Sequence, residues 1–166
     1  YIPSFYGYQG SKPAATMDES FPDVMNYVEN HYKVAKDKAH RAICGLSMGG
    51  GHSFDISRRF PTKFDYIGLF SAGLHVSTTG DFRNDFYKQL QGNEEAKTQL
   101  ATLFKNKPKL YWIGMGKTDF LYKSSADLRR YFDEKGYKYT YLETEGGHIW
   151  RNWRVYLTEF AQKIFK

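Results

Sequence analysis

The chain has 166 residues, enough for a single domain with a substantial core, and its 41% hydrophobic and 25% charged content matches globular sequences. A net charge of +6 spread over scattered Lys and Arg, with no basic run interleaved with stacking aromatics, argues against a nucleic-acid partner. No apolar run approaches the roughly 18 residues needed to span a membrane, and the single cysteine, Cys44, excludes an internal disulfide or a cysteine-rich metal site.

Residues 1–15 are rich in Tyr, Gly, Pro and Ser and read as loop. Ser20-Phe21-Pro22-Asp23 predicts a helix start, with serine as cap and proline in the first turn. Its apolar stripe of Phe21, Val24, Met25, Val28 and Tyr32 continues to about Val34. Residues 40–45 predict a short buried strand, with Cys44 as a small core residue, followed by a helix from Met48 to Arg59 that Pro61 stops. Phe64 to Phe70 predicts a second strand, leaving through Ser71-Ala72-Gly73. Residues 81–106 predict two short helices broken near Gly92-Asn93, and Lys109 to Met115 a third strand. Ser124-Ser125-Ala126-Asp127 predicts the cap of a helix ended by Gly136, and Tyr137 to Thr144 a fourth strand. A glycine loop then leads to a closing helix with Ile149, Trp153, Tyr156, Leu157, Phe160 and Ile164 on one side. This alternation predicts an α/β fold with a parallel sheet and helices on its faces, in one domain over residues 1–166.

Gly45-Leu46-Ser47-Met48-Gly49 has the G-x-S-x-G form of a nucleophile elbow, a sharp strand-to-helix turn that lifts a serine clear of the sheet. The flanking glycines are expected to leave room for that turn. Three fixed residues of this kind occur by chance in roughly one such chain in twenty, so the setting has to carry the reading. Function gathers at the carboxyl ends of parallel strands, and there Ser47, Asp119 and His148 follow the first, third and fourth predicted strands. Serine, then aspartate, then histidine is the chain order of an α/β-hydrolase triad. Histidine can take and return the serine proton near neutrality, and a carboxylate behind it fixes its tautomer. The Met48 backbone N–H is the expected oxyanion donor at the start of the elbow helix. Gly49, Gly50 and Gly51 are expected to let that helix pack closely. Glu143 and Asp127 are weaker candidates for the acid, and His31, His40, His52 and His75 for the base. No metal or organic cofactor is expected.

With these residues in place the chain resembles the esterase-D-like α/β-hydrolases, and most of all carbohydrate esterase family 1, the feruloyl and acetylxylan esterases. The resemblance rests on Gly45 to Gly51, on Tyr66-Ile67-Gly68-Leu69-Phe70-Ser71, and on the Gly-Gly-His-x-Trp-x-x-Trp pattern of Gly146 to Trp153, and it extends from about residue 16 onward. It implies Ser47 as nucleophile, Asp119 as acid and His148 as base in a serine esterase acting on feruloyl or acetyl groups of xylan. Such a substrate implies a secreted or periplasmic enzyme. Family members carry several strands and a second oxyanion-donor loop ahead of the elbow. The expectation is therefore an α/β-hydrolase sheet lacking its N-terminal strands, to be completed by a preceding segment or another chain. Tyr6, Tyr8, Phe120 and Trp150 are expected near the strand ends as substrate contacts. The alternatives are an S-formylglutathione hydrolase, a siderophore esterase or an acyltransferase on the same fold, or a non-catalytic piece.

Overall fold

The apolar runs of the sequence become a four-stranded parallel sheet in strict chain order. In the structure, a computed structural model, residues 17–76 and 85–166 are described, together with the backbone of 8–9 and 12–13. The chain divides into two compact units, Tyr1–Asp37 and Lys38–Lys166.

In the first unit, β1 (Tyr8–Gln9) pairs antiparallel with β2 (Lys12–Pro13), and α1 runs from Met17 to His31. The helix begins one turn before the expected Ser20 cap, with Pro22 inside it. Asp18 and Glu19 occupy that extra turn, where negative charge meets the positive end of the helix dipole.

The second unit holds β3 (Ala42–Leu46), α2 (Met48–Arg59), β4 (Tyr66–Phe70), α3 (Phe86–Gln91), α4 (Glu94–Lys105), β5 (Leu110–Gly116), α5 (Tyr122–Lys135), β6 (Thr140–Thr144) and α6 (Trp150–Ala161). The sheet order is β3-β4-β5-β6, every pair parallel, with Leu46 beside Phe70, Phe70 beside Gly114 and Gly116 beside Thr144. The helix break at Gly92-Asn93 is real: the Asn93 side chain caps α4 by accepting from the Ala96 N–H. Gly136 closes α5 at φ 67°, a left-handed conformation natural to glycine. The start of α5 departs from expectation. Leu121 is its N-cap, and Ser124 lies inside the helix, donating to the Leu121 carbonyl at 2.9 Å.

On one face of the sheet, α6 packs on β4 and β5 through Tyr66, Phe70, Trp112, Tyr156 and Phe160. Phe70 meets the rings of Trp112 and Phe160 edge-on, with centroids 5.4 and 5.8 Å apart. On the other face Phe104 of α4 packs against Tyr111 and, edge-on, against Phe132. The central strand β4 is buried throughout, whereas β3 and β6 are half-buried. Cys44 corrects the sequence reading: it is exposed, because β3 is an outer strand among the described residues and α6 packs on β4 and β5. Leu157, expected on the packed side of α6, is also exposed. Among the described residues no helix is long and apolar enough to cross a membrane.

The glycines around the elbow are not equivalent. A Cβ on Gly45 would overlap the Gly49 backbone, one on Gly51 would overlap the Gly73 carbonyl, and one on Gly50 would sit 2.7 Å from Ala72 Cβ. At Gly49 nothing lies within 4 Å, so steric exclusion does not explain that glycine. Gly51→Ala should therefore lower stability by about 1–3 kcal/mol, the usual penalty of overpacking, and drop the melting temperature by several degrees. Gly49→Ala should keep the melting temperature or raise it, since alanine favours helix. Calorimetric melts of the two variants check the contrast, and equal losses would contradict it.

Candidate active site

Ser47 forms the joint between β3 and α2 at φ 54° and ψ −118°, a positive φ that costs a non-glycine residue on the order of 1–3 kcal/mol. Three backbone hydrogen bonds hold it there. Its N–H donates to the Phe70 carbonyl at 2.9 Å, and its carbonyl accepts from Gly51 at 3.2 Å and Gly73 at 2.9 Å. The elbow is thus anchored on β4 and on the loop that leaves it. Met48 is the first residue of α2 and half exposed. Its N–H is among the four at a helix start that have no partner within the helix.

Asp119 follows β5 in a tight turn. Its N–H donates to the Gly116 carbonyl at 3.1 Å, and its Oδ1 accepts from the Leu121 N–H at 2.9 Å. The same turn passes into α5 through the Tyr122 N–H, which donates to the Asp119 carbonyl at 2.9 Å. This explains why the helix starts before Ser124. The Asp119 side chain is wholly shielded from solvent.

His148 sits in the loop between β6 and α6, which is pressed against the end of β5. The Thr118 N–H donates to the Gly146 carbonyl at 3.1 Å, and buried Asn152 donates from Nδ2 to the Gly147 carbonyl at 3.0 Å. Gly116 is needed for this approach, since a Cβ there would lie 3.0 Å from the Gly147 carbonyl oxygen and 2.9 Å from Asn152 Nδ2.

The three side chains meet. His148 Nδ1 lies 3.0 Å from Asp119 Oδ2 and 3.1 Å from Oδ1, and His148 Nε2 lies 2.9 Å from Ser47 Oγ. A carboxylate can only accept, so Nδ1 carries the proton, leaving Nε2 to accept from the serine hydroxyl. Such a row can draw a proton off Ser47 and stabilise the imidazolium that results.

The competing residues are engaged elsewhere. Asp127 pairs with Lys123 at 2.8 Å, and Glu143 accepts from Tyr122 at 2.8 Å and Tyr141 at 2.9 Å. His31 donates to the Tyr27 carbonyl, and His75 lies 3.8 Å from Asp55. Of the expected substrate contacts, Phe120 is exposed with its ring 4.6 Å from the His148 ring, and exposed Trp150 stands edge-on to Trp153 at 5.1 Å. Tyr6 lies outside the described residues, and of Tyr8 only the backbone is described. Trp153, read from the sequence only as part of the packed side of its helix, meets the His148 ring edge-on at 4.9 Å. Its place in the Gly-Gly-His-x-Trp-x-x-Trp pattern was the available signal. Among the described residues no cluster of three or more His, Cys, Asp or Glu could hold a metal ion.

Comparison with known proteins places the chain in a family. The model of the family described as "Putative esterase" matches residues 14–164. The chain belongs to the Esterase family. An acetyl esterase of Caldicellulosiruptor saccharolyticus is 25% identical over 164 residues, covering 87% of this chain and 61% of the relative. An endo-1,4-beta-xylanase/feruloyl esterase of Xylanibacter ruminicola is 29% identical over 154 residues, covering 90% of this chain and 17% of that protein. The S-formylglutathione hydrolase FrmB of Staphylococcus aureus superposes with a TM-score of 0.73 at 19% identity, covering 94% of this chain and 66% of its own, which establishes the shared α/β-hydrolase fold. The chain thus spans under two thirds of each of these relatives.

On β6, hydrogen bonds from Tyr122 and then Tyr141 hold the Glu143 carboxyl below the usual carboxylate range. A lowered native value adds stability above the unfolded value of about 4.3, and that stability is lost as pH falls through the native value. Glu143→Gln should therefore melt below the wild type at pH 7, with the gap closing as pH drops below about 4. Melting curves across that range test this, and a pH-independent gap would contradict it.

Proposed function

We propose that this chain supplies the nucleophile, acid and base of a serine carboxylic-ester hydrolase that removes feruloyl or acetyl groups from xylan. The observation that carries the reading is the continuous hydrogen-bonded row from Ser47 Oγ through His148 to shielded Asp119. Ser47 Oγ attacks the ester carbonyl as its proton passes to His148 Nε2. The tetrahedral oxyanion is met by the Met48 N–H and by a second donor from a segment ahead of the elbow. His148 then protonates the leaving sugar oxygen, which departs as a hydroxyl and leaves acyl-Ser47, and then activates a water that releases the acid and restores the serine. No metal or organic cofactor enters these steps. The acetyl and feruloyl esterase relatives support the acyl groups, the xylanase fused to the latter supports xylan, and a polymeric substrate supports export from the cell. Phe120, exposed against His148, and Trp150, exposed against Trp153, offer rings to an aromatic acyl group or a sugar.

In the intact protein a fluorophosphonate probe should label Ser47, and Ser47→Ala should abolish the labelling. Asp119→Asn should lower kcat by about four orders of magnitude through the wrong histidine tautomer. Turnover of methyl ferulate and acetylated xylan should exceed that of S-formylglutathione. Preference for the thioester would overturn the substrate assignment, and an unlabelled wild type would favour a non-catalytic role.

A further inference from the structure

Two aromatic rings flank the His148 imidazole, and they differ in kind. Phe120 is 60% exposed, its ring tilted 49° to the imidazole at 4.6 Å. Trp153 approaches edge-on, at 84° and 4.9 Å, and is half-buried. It is backed by the aromatic core of Tyr66, Phe70, Trp112, Tyr156 and Phe160, so it has little freedom to retreat. Its backbone N–H donates to the Ile149 carbonyl at 3.3 Å, and neighbouring Asn152 pins the Gly147 carbonyl, so ring and histidine loop are tied to one helix start.

Trp153 also carries a liability. Its Nε1–H is buried and has no hydrogen-bond partner among the described residues. An unpaired buried donor costs stability. What meets the histidine is the ring itself, its centroid 4.9 Å from that of the imidazole. We propose that Trp153 is a positioning residue for His148. The contacts of Nδ1 with the Asp119 carboxylate fix one end of the imidazole but leave the ring free to tilt about that end. The Trp153 ring, near-perpendicular to the imidazole, blocks the tilt that would carry Nε2 away from Ser47 Oγ, now 2.9 Å distant. Trp150, edge-on to Trp153 at 74°, braces the indole from the exposed side.

This inference rests on the triad reading, and the test separates the two. In the intact protein Trp153→Leu should lower kcat on methyl ferulate by about tenfold to a hundredfold, as expected for a displaced catalytic group, while KM stays within about twofold. Trp153→Phe keeps a ring edge and should recover most of the loss. If the leucine variant fails to melt cooperatively, Trp153→Met supplies the same reading, since it refills the space without a ring. A wild type without Ser47-dependent labelling would sink the triad itself. With labelling intact, an unchanged kcat in the ring-free variant, a rise in KM alone, or a phenylalanine variant as slow as leucine would overturn the role of Trp153.

Discussion

Everything at this site depends on holding a serine in a backbone conformation that serine does not prefer. The positive φ at Ser47 lifts Oγ off the end of β3, and the strain is offset by hydrogen bonds from three separate points, Phe70, Gly51 and Gly73. Those bonds require α2 and the loop after β4 to come unusually close, which is why Gly45, Gly50 and Gly51 have no room for a side chain. Ser71 repeats the device one strand over. It sits at φ 46°, fully buried, with its N–H on the Gly114 carbonyl at 2.9 Å. Neighbouring parallel strands thus end on serines in the left-handed region, each tied to the next strand in the sheet.

From that anchor the remaining parts follow by register. Pairing Leu46 with Phe70, Phe70 with Gly114, and Gly116 with Thr144 brings the ends of β3, β5 and β6 to one edge of the sheet. Asp119 is then set by its own turn, whose N–H and carboxylate both take part in backbone bonds. The histidine loop is drawn in by Gly116 and Asn152, so a small residue and a buried amide locate His148.

Much of this was legible in the sequence, because apolar runs bounded by glycine loops are strong signals. The four strands, the Gly92-Asn93 break and the Gly136 stop are all present, although the first and last strands start two and three residues later than expected, at Ala42 and Thr140. The errors cluster where tertiary context decides. The expected cap at Ser124 yielded to Asp119, whose carbonyl and carboxylate take the N–H groups of Tyr122 and Leu121 ahead of it. Cys44 looked buried because its strand is apolar, but strand composition does not report which strand lies outermost among the described residues. Gly49 looked sterically required from the motif, and only coordinates distinguish it from Gly45. Ser47, Asp119 and His148 could be named from their positions after strands; that Trp153 touches His148 could not, because helical periodicity marks a packed face without saying what it meets.

Asp119 and His148 are 29 residues apart and both hang on the unit β5-α5-β6, whereas Ser47 lies 101 residues from His148 and hangs on β3-α2-β4. The seam between β4 and β5 therefore runs between the Ser47 hydroxyl and the imidazole that it meets. A small sliding of strands along that seam would lengthen the serine–histidine distance while leaving the histidine–aspartate pair untouched. The hydrogen bond from Ser71 to Gly114 crosses the seam at that level. It adds to the five paired positions of β4 and β5 and to α6, which packs on both strands, so the alignment of the two half-sites is set by the whole seam.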